Sequence, residues 1–239
     1  MKLINKTPNK IEFQTEISES LANAIRRYAF QIPILAIDEV EIERNDSALY
    51  DETVAHRLGL VVLKTEKSMN SKTEIKLKFE VKKEGIVYAE ELKGDAKVVY
   101  PKTPITMLNK GQEMVATCFA KLGRGEEHSK FSPGVVFYRN VFDVKIDKDC
   151  PVEVAEICPK KILKADGGKV TVTDASKCDM CEACIDLCKK QGKNSINITP
   201  TKELILTFES FGQISPEEML KQSIDILKKD LEAVGKKLK

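Results

Sequence analysis

The run Cys178-x-x-Cys181-x-x-Cys184-x-x-x-Cys188 limits what this chain can fold into more than any other feature, because thiols so close in sequence must bind something, pair, or be buried. Six of the seven cysteines in the 239 residues fall between Cys150 and Cys188. The start Met1-Lys2-Leu3-Ile4-Asn5 lacks the hydrophobic region of a signal peptide, and no apolar stretch nears the roughly 18 residues of a membrane span, so a cytoplasmic protein with no membrane partner is expected. In a reducing compartment such crowding points to metal or cluster ligation before a disulfide framework. Zinc sites usually combine separated pairs of ligands, whereas three thiolates at successive three-residue steps suit a larger cluster with several iron corners. Zinc and purely structural thiols are the competing assignments. Neither His56 nor His128 stands at ligand spacing to the group.

The same run is similar to the cysteine spacing of bacterial ferredoxins, in which three close thiolates wrap a cubane and a remote cysteine followed by proline completes a cluster. Cys158-Pro159 has that remote form. Counting back ten, seven and four residues from Cys158 gives Lys148, Pro151 and Val154, so one cluster's trio is missing. The resemblance implies one [4Fe-4S] cluster, or [3Fe-4S] after iron loss, on Cys158, Cys178, Cys181 and Cys184. Cys188 precedes Lys189 instead of proline, and it and Cys150 are expected to be free thiols or, failing that, a mutual disulfide. Asp166-Gly167-Gly168, between Ile162-Leu163 and Val170-x-Val172, predicts a hairpin that brings Cys158 near the trio.

Elsewhere the pattern predicts an α+β fold. Ile11, Phe13, Thr15 and Ile17 alternate as in a half-buried strand, as do Val40 and Ile42, Ile75 to Val81, Phe142 to Ile146, and Leu204 to Phe208. Ser18 is a candidate N-cap for a helix carrying Leu21, Ile25, Tyr28 and Ile32, stopped by Pro33. A second helix opens at Ser215 with Pro216 in its first position and Glu218 completing a capping box. Along it Leu220, Ile224, Leu227, Leu231, Val234 and Leu238 are spaced 4, 3, 4, 3 and 4, a heptad seam that something apolar must cover.

Thirty-nine Lys and Arg against 37 Asp and Glu leave a net charge of +2, which argues against autonomous tight DNA binding. The short basic clusters Arg26-Arg27, Lys189-Lys190 and Lys236-Lys237 suit solvated faces. Nucleotidyl transfer needs a carboxylate cluster for Mg²⁺ ions, and Asp147-Lys148-Asp149 stands alone in a charged loop, so no catalytic residue is expected.

Asn23-Ala24-Ile25-Arg26-Arg27, Ile32-Pro33-Ile34-Leu35-Ala36-Ile37, Asp51-Glu52-x-x-Ala55-His56-Arg57-Leu58-Gly59-Leu60, and Gly123 to Pro133 together resemble the α-like subunits of RNA polymerases. With the cysteine segment, the likeness is to the α-like subunits of the archaeal enzymes that carry a ferredoxin-like insert, and it covers nearly the whole chain. It implies a dimerisation domain built from both ends (1–45 and 199–239), a strand-rich insert domain (46–147) and a ferredoxin-like iron–sulfur domain (148–198). The implied role is a non-catalytic one in transcription. A heterodimer with subunit L forms the platform for small subunits N and P and then the large catalytic subunits, with DNA met only through the complex. Implied interface residues are Arg26, Arg27, His56, Arg57 and the seam from Leu220 to Leu238; Leu58 to Leu63 beside His56 reads as a buried run. The alternative, an electron-transfer ferredoxin-like subunit of a redox enzyme, explains the cysteines but leaves about 190 other residues unexplained and offers no flavin or nucleotide motif as donor. A zinc-stabilised binding module would be colourless.

Overall fold

Alternating apolar and polar side chains form a strand wherever one face of the pleat meets a core. Leu77 and Phe79 are wholly buried while Lys76, Lys78 and Glu80, which alternate with them, face water. The computed structural model describes residues 1–238, so the last residue of the expected 199–239 segment lies outside it. In chain order its strands are β1 (Lys2–Lys6), β2 (Lys10–Thr15), β3 (Ile34–Asn45), β4 (Glu74–Val81), β5 (Gly85–Tyr88), β6 (Leu92–Gly94), β7 (Pro104–Leu108), β8 (Met114–Gly123), β9 (Gly134–Ile146), β10 (Leu163–Asp166), β11 (Lys169–Val172) and β12 (Ile196–Ser210). The helices are α1 (Glu19–Tyr28), α2 (Asp51–Gly59), α3 (Val154–Ile157), α4 (Ala183–Lys190) and α5 (Pro216–Lys237). The architecture is mixed α/β and rich in strands.

The chain divides into two units. The larger comprises residues 6–11, 23–136 and 208 onward. It holds the sheet β3-β8-β4-β6 and the ribbon β5-β7. β3 and β8 run antiparallel from Ile34 opposite Gly123 to Asn45 opposite Met114, with an irregularity between Ile37 and Glu39. That irregularity frees Asp38 from the ladder, and its carboxylate meets the ammonium groups of Lys121 at 2.5 Å and Lys130 at 2.6 Å. The two cations hold its pKa below the usual carboxylate value, through hydrogen bonds first. Helix α2 sends Val54 and Leu58 into a core with Leu35, Ile37, Leu63, Phe79 and Ile105. Each large side chain so buried contributes about 1.5–3 kcal/mol.

Helix α5 opens as its capping residues dictate, with the Ser215 hydroxyl accepting the Glu218 N–H at 3.2 Å. Met219 and Ser223 face the interior and are fully buried. Two sequence expectations need correction here. The run Leu58 to Leu63 is interrupted by Leu60, which is 48% exposed because it lies just past the C-terminal end of α2, off its buried stripe. The stripe on α1 also fails at Leu21, which is 43% exposed, and the helix tightens into a 3₁₀ turn at Ala29–Gln31 before Pro33.

The smaller unit comprises residues 1–5, 12–22 and 137–207. Its strands form the order β1-β2-β12-β9, to which the β10-β11 hairpin is added as a separate two-stranded sheet. The hairpin register runs from Leu163 opposite Val172 to Asp166 opposite Lys169. Gly167 and Gly168 both have positive φ, +55° and +81°, a tight turn that L side chains adopt only with strain. Residues 148–194 leave the sheet and return side by side. The Asp147 N–H donates to the Ser195 carbonyl at 2.9 Å, and the Lys193 ammonium donates to the Asp149 carbonyl at 2.7 Å. Val154, Ile162, Leu163, Ile196 and Ile198 form this unit's core together with Cys150, Cys158, Cys178, Cys184 and Cys188. No helix of the described residues is long and apolar enough to cross a membrane.

Candidate metal centre

Three short elements deliver the four candidate ligands. Cys158 ends α3 just before Pro159, Cys178 follows the 3₁₀ turn Ala175–Lys177, Cys181 lies in the next loop, and Cys184 sits in the first turn of α4. All four line one cavity, whose other walls are the apolar Val144, Ile162, Leu163 and Ile198 together with Lys160, Asp179 and Glu182. Cys158, Cys178 and Cys184 are buried, whereas Cys181 is exposed.

The backbone around the cavity is bent in an unusual way. Among the described residues, the non-glycine positions with positive φ are Lys161 (+51°), Met180 (+55°) and Glu182 (+61°). Met180 and Glu182 flank Cys181, and Lys161 lies three residues after Cys158. Such conformations cost on the order of 1–3 kcal/mol each and persist where the surroundings impose them, often at ligand clamps.

The backbone N–H of Met180 lowers the Cys178 thiol's pKa and that of Ile185 lowers the Cys184 thiol's. Burial pushes both thiols up and neighbouring sulfurs add to it, while the amide bonds pull them down. Amides directed at a thiolate are the groups that stabilise anionic ligand sulfur. Among the described residues, no three or more His, Cys, Asp or Glu are gathered closely enough to hold a single metal ion.

Cys150 and Cys188 lie apart from that cavity, buried at 5% and 1% exposure. Cys188 is one turn beyond Cys184 on α4, and its carbonyl accepts the Lys193 N–H at 2.9 Å. The Cys150 thiol is pushed up to about 12, by burial first and then by Cys188. Where a second trio would stand, Lys148 is exposed while Pro151 and Val154 are buried and apolar. Cys118 belongs to the core of the larger unit, and burial pushes it up to about 12 as well.

The remaining sequence candidates are dispersed. Arg26 donates to Asn23 at 2.9 Å, Arg27 and His56 are exposed, and Arg57 donates to the Ile105 carbonyl at 2.9 Å. Leu220 and Leu227 are half-buried, but Ile224, Leu231, Val234 and Leu238 are 42%, 64%, 55% and 83% exposed. Asp147, Lys148 and Asp149 all face solvent. Arg139 of β9, which reaches the cysteine segment, was not legible as functional. A lone arginine on an alternating strand carries no signal of its own.

Residues 40–135 match the family model described as "RNA polymerase Rpb3/RpoA insert domain". Three proteins named "DNA-directed RNA polymerase subunit Rpo3" are among the similar ones. That of Pyrococcus horikoshii is 41% identical, over 62% of this chain and 62% of its own length, less than two thirds. That of Pyrococcus furiosus is 33% identical over 95% of this chain and 92% of its own. That of Archaeoglobus fulgidus is 30% identical over 99% and 96%. All three are polymerase subunits by name, and they lend no support to the electron-transfer alternative.

Proposed function

The chain belongs to the Rpo3 family of α-like subunits of archaeal DNA-directed RNA polymerases, and from that premise we propose that it is a non-catalytic assembly subunit carrying one iron–sulfur cluster. It acts in transcription within a nucleotidyltransferase complex. The finer role is dimerisation with subunit L through α5, followed by docking of N and P and then the large catalytic subunits.

Exposure along the seam supports the first step. Helix α5 fills its own unit with Met219 and Ser223 and leaves Ile224, Leu231, Val234 and Leu238 in water, an apolar line that a partner helix would cover. Asp147 and Asp149 face solvent without a converging third carboxylate, which suits a chain without catalytic metal ions.

For the cluster, the single carrying observation is that Cys158, Cys178, Cys181 and Cys184 line one cavity. Its chemistry when bound is four iron–thiolate bonds that cross-link α3 to the loop and start of α4. The segment 148–198 is about 50 residues long, a size at which a hydrophobic core alone rarely supplies enough stability, so metal binding there would become folding free energy. Val144, Ile162, Leu163 and Ile198 line the cavity beside the thiols and would exclude water from a bound group. A structural clamp follows, with no electron transfer required for transcription.

Affinity purification from the native host tests the whole reading. Co-purification of the large polymerase subunits with brown, iron-containing protein is expected. A redox partner without them would overturn the assembly role, and stoichiometric zinc in colourless protein would overturn the cluster.

A further inference from the structure

Arg139 lies near the middle of β9, and its side chain is 35% exposed. Its Nη1 donates to the Ser176 carbonyl at 2.5 Å, and its Nη2 stands 3.8 Å from the Glu12 carboxylate on β2. Ser176 is held locally as well, its N–H and hydroxyl both donating to Asp174. Two residues later the chain reaches Cys178.

The other polar ties of this stretch stay within the cysteine segment. Thr173 bonds to Ile162, Lys177 and Cys178 donate to Asp174 and Ala175, and Lys160 pairs with Asp179 at 3.5 Å. Among the described residues, the Arg139–Ser176 bond is therefore the hydrogen bond that joins residues 158–192 to the four-stranded sheet. It is charge-assisted, and its acceptor is a main-chain carbonyl, so it fixes the path of the backbone as well as a side chain.

We infer that Arg139 is a positioning residue for the metal centre: a latch that fixes the approach to Cys178 against β9 and β2, and so couples the order of the cysteine loop to the sheet. The inference rests on the cluster reading above only for what the loop holds. A bound cluster orders the loop around Cys178, and the latch carries that order to β9. With the loop loose, the guanidinium loses its carbonyl and keeps only the longer contact to Glu12.

The test uses the full chain, purified without oxygen, as wild type, Arg139→Met and Arg139→Lys. Hydrogen exchange is followed in the peptide covering 173–180, with β4 and β8 as controls for folding, and iron release to a chelator is followed by loss of visible absorbance. A hydrogen bond to a charged donor corresponds to about a tenfold change at its lower bound. Arg139→Met should therefore speed both exchange at 173–180 and iron release about tenfold, with β4 and β8 unchanged. Arg139→Lys keeps a donor and should return exchange to near the wild-type rate. Unchanged exchange in Arg139→Met, Lys behaving like Met, or faster exchange without faster iron release would each overturn the latch. Colourless wild-type protein would sink the cluster reading instead, while the exchange measurement would still decide whether Arg139 ties the loop.

Discussion

Replacing Leu231 with Asp separates the two duties of the last helix, because Leu231 is 64% exposed while Met219 on the inner stripe is fully buried. In the free chain the substitution changes little already out of water, so its cost to folding should stay within about 0.5 kcal/mol. Association is another matter. Full burial of a leucine contributes about 1.5–3 kcal/mol, and the exposed two thirds of it, about 1–2 kcal/mol, remains for a partner to bury. Placing an uncompensated carboxylate there adds a desolvation cost of about 2 kcal/mol or more. The sum, about 3 kcal/mol or more, is at least a 100-fold loss of affinity. Met219→Ala provides the contrast, costing about 2–5 kcal/mol of stability through the cavity it leaves. Denaturant titration of the free chain and co-elution with subunit L measure the two effects separately. Unchanged co-elution, or a loss of stability as large as that of Met219→Ala, would refute the division of the helix into an inner stripe and an outer seam.

Iron analysis should give no more than about four irons per chain. Serine at Cys158, Cys178, Cys181 or Cys184 should lower occupancy, and serine at Cys150 or Cys188 should not; eight irons, or loss on changing Cys188, would rule the assignment out. Ser215→Ala should cost about 1 kcal/mol by leaving the Glu218 N–H without its acceptor, read as a lower denaturation midpoint. Asp38 has a folded-state pKa below its ordinary 3.8, so its contribution is present above that value and lost as pH falls through the lower folded pKa. The stability gap between wild type and Asp38→Asn should thus be constant near neutrality and close in strong acid; a gap that widens on acidification would contradict the Lys121–Asp38–Lys130 arrangement.

What could be read from the sequence was local. Ser215, Pro216 and Glu218 act within one turn, Gly167-Gly168 sets its own backbone, and period-2 runs such as Ile75 to Val81 need only a core on one side. Helix α2 escaped because only Val54 and Leu58 mark its inner face, too few for a periodicity to stand out from a polar segment. The seam on α5 was visible, but the stripe of Met219 and Ser223 was not, since a buried serine contributes nothing to an apolar pattern. The spacing of the cysteines identified which thiols share a cavity wall. It could not show the αL bends at Lys161, Met180 and Glu182 or the reach of Arg139, which depend on residues far apart in the chain meeting in the fold.

The paired exit and return of residues 148–194 carries an evolutionary consequence. Asp147 and Ser195 are bonded neighbours, and Lys193 closes the same junction on Asp149. A segment whose two ends meet at one point of its host asks nothing of the host strands about its own length or contents. Descendant lineages can therefore lengthen it, exchange its cysteines or reduce it to a turn while β9 and β12 keep their course. Changes within the segment are thereby uncoupled from changes in the sheet that bears it, apart from the Arg139–Ser176 hydrogen bond that joins the two.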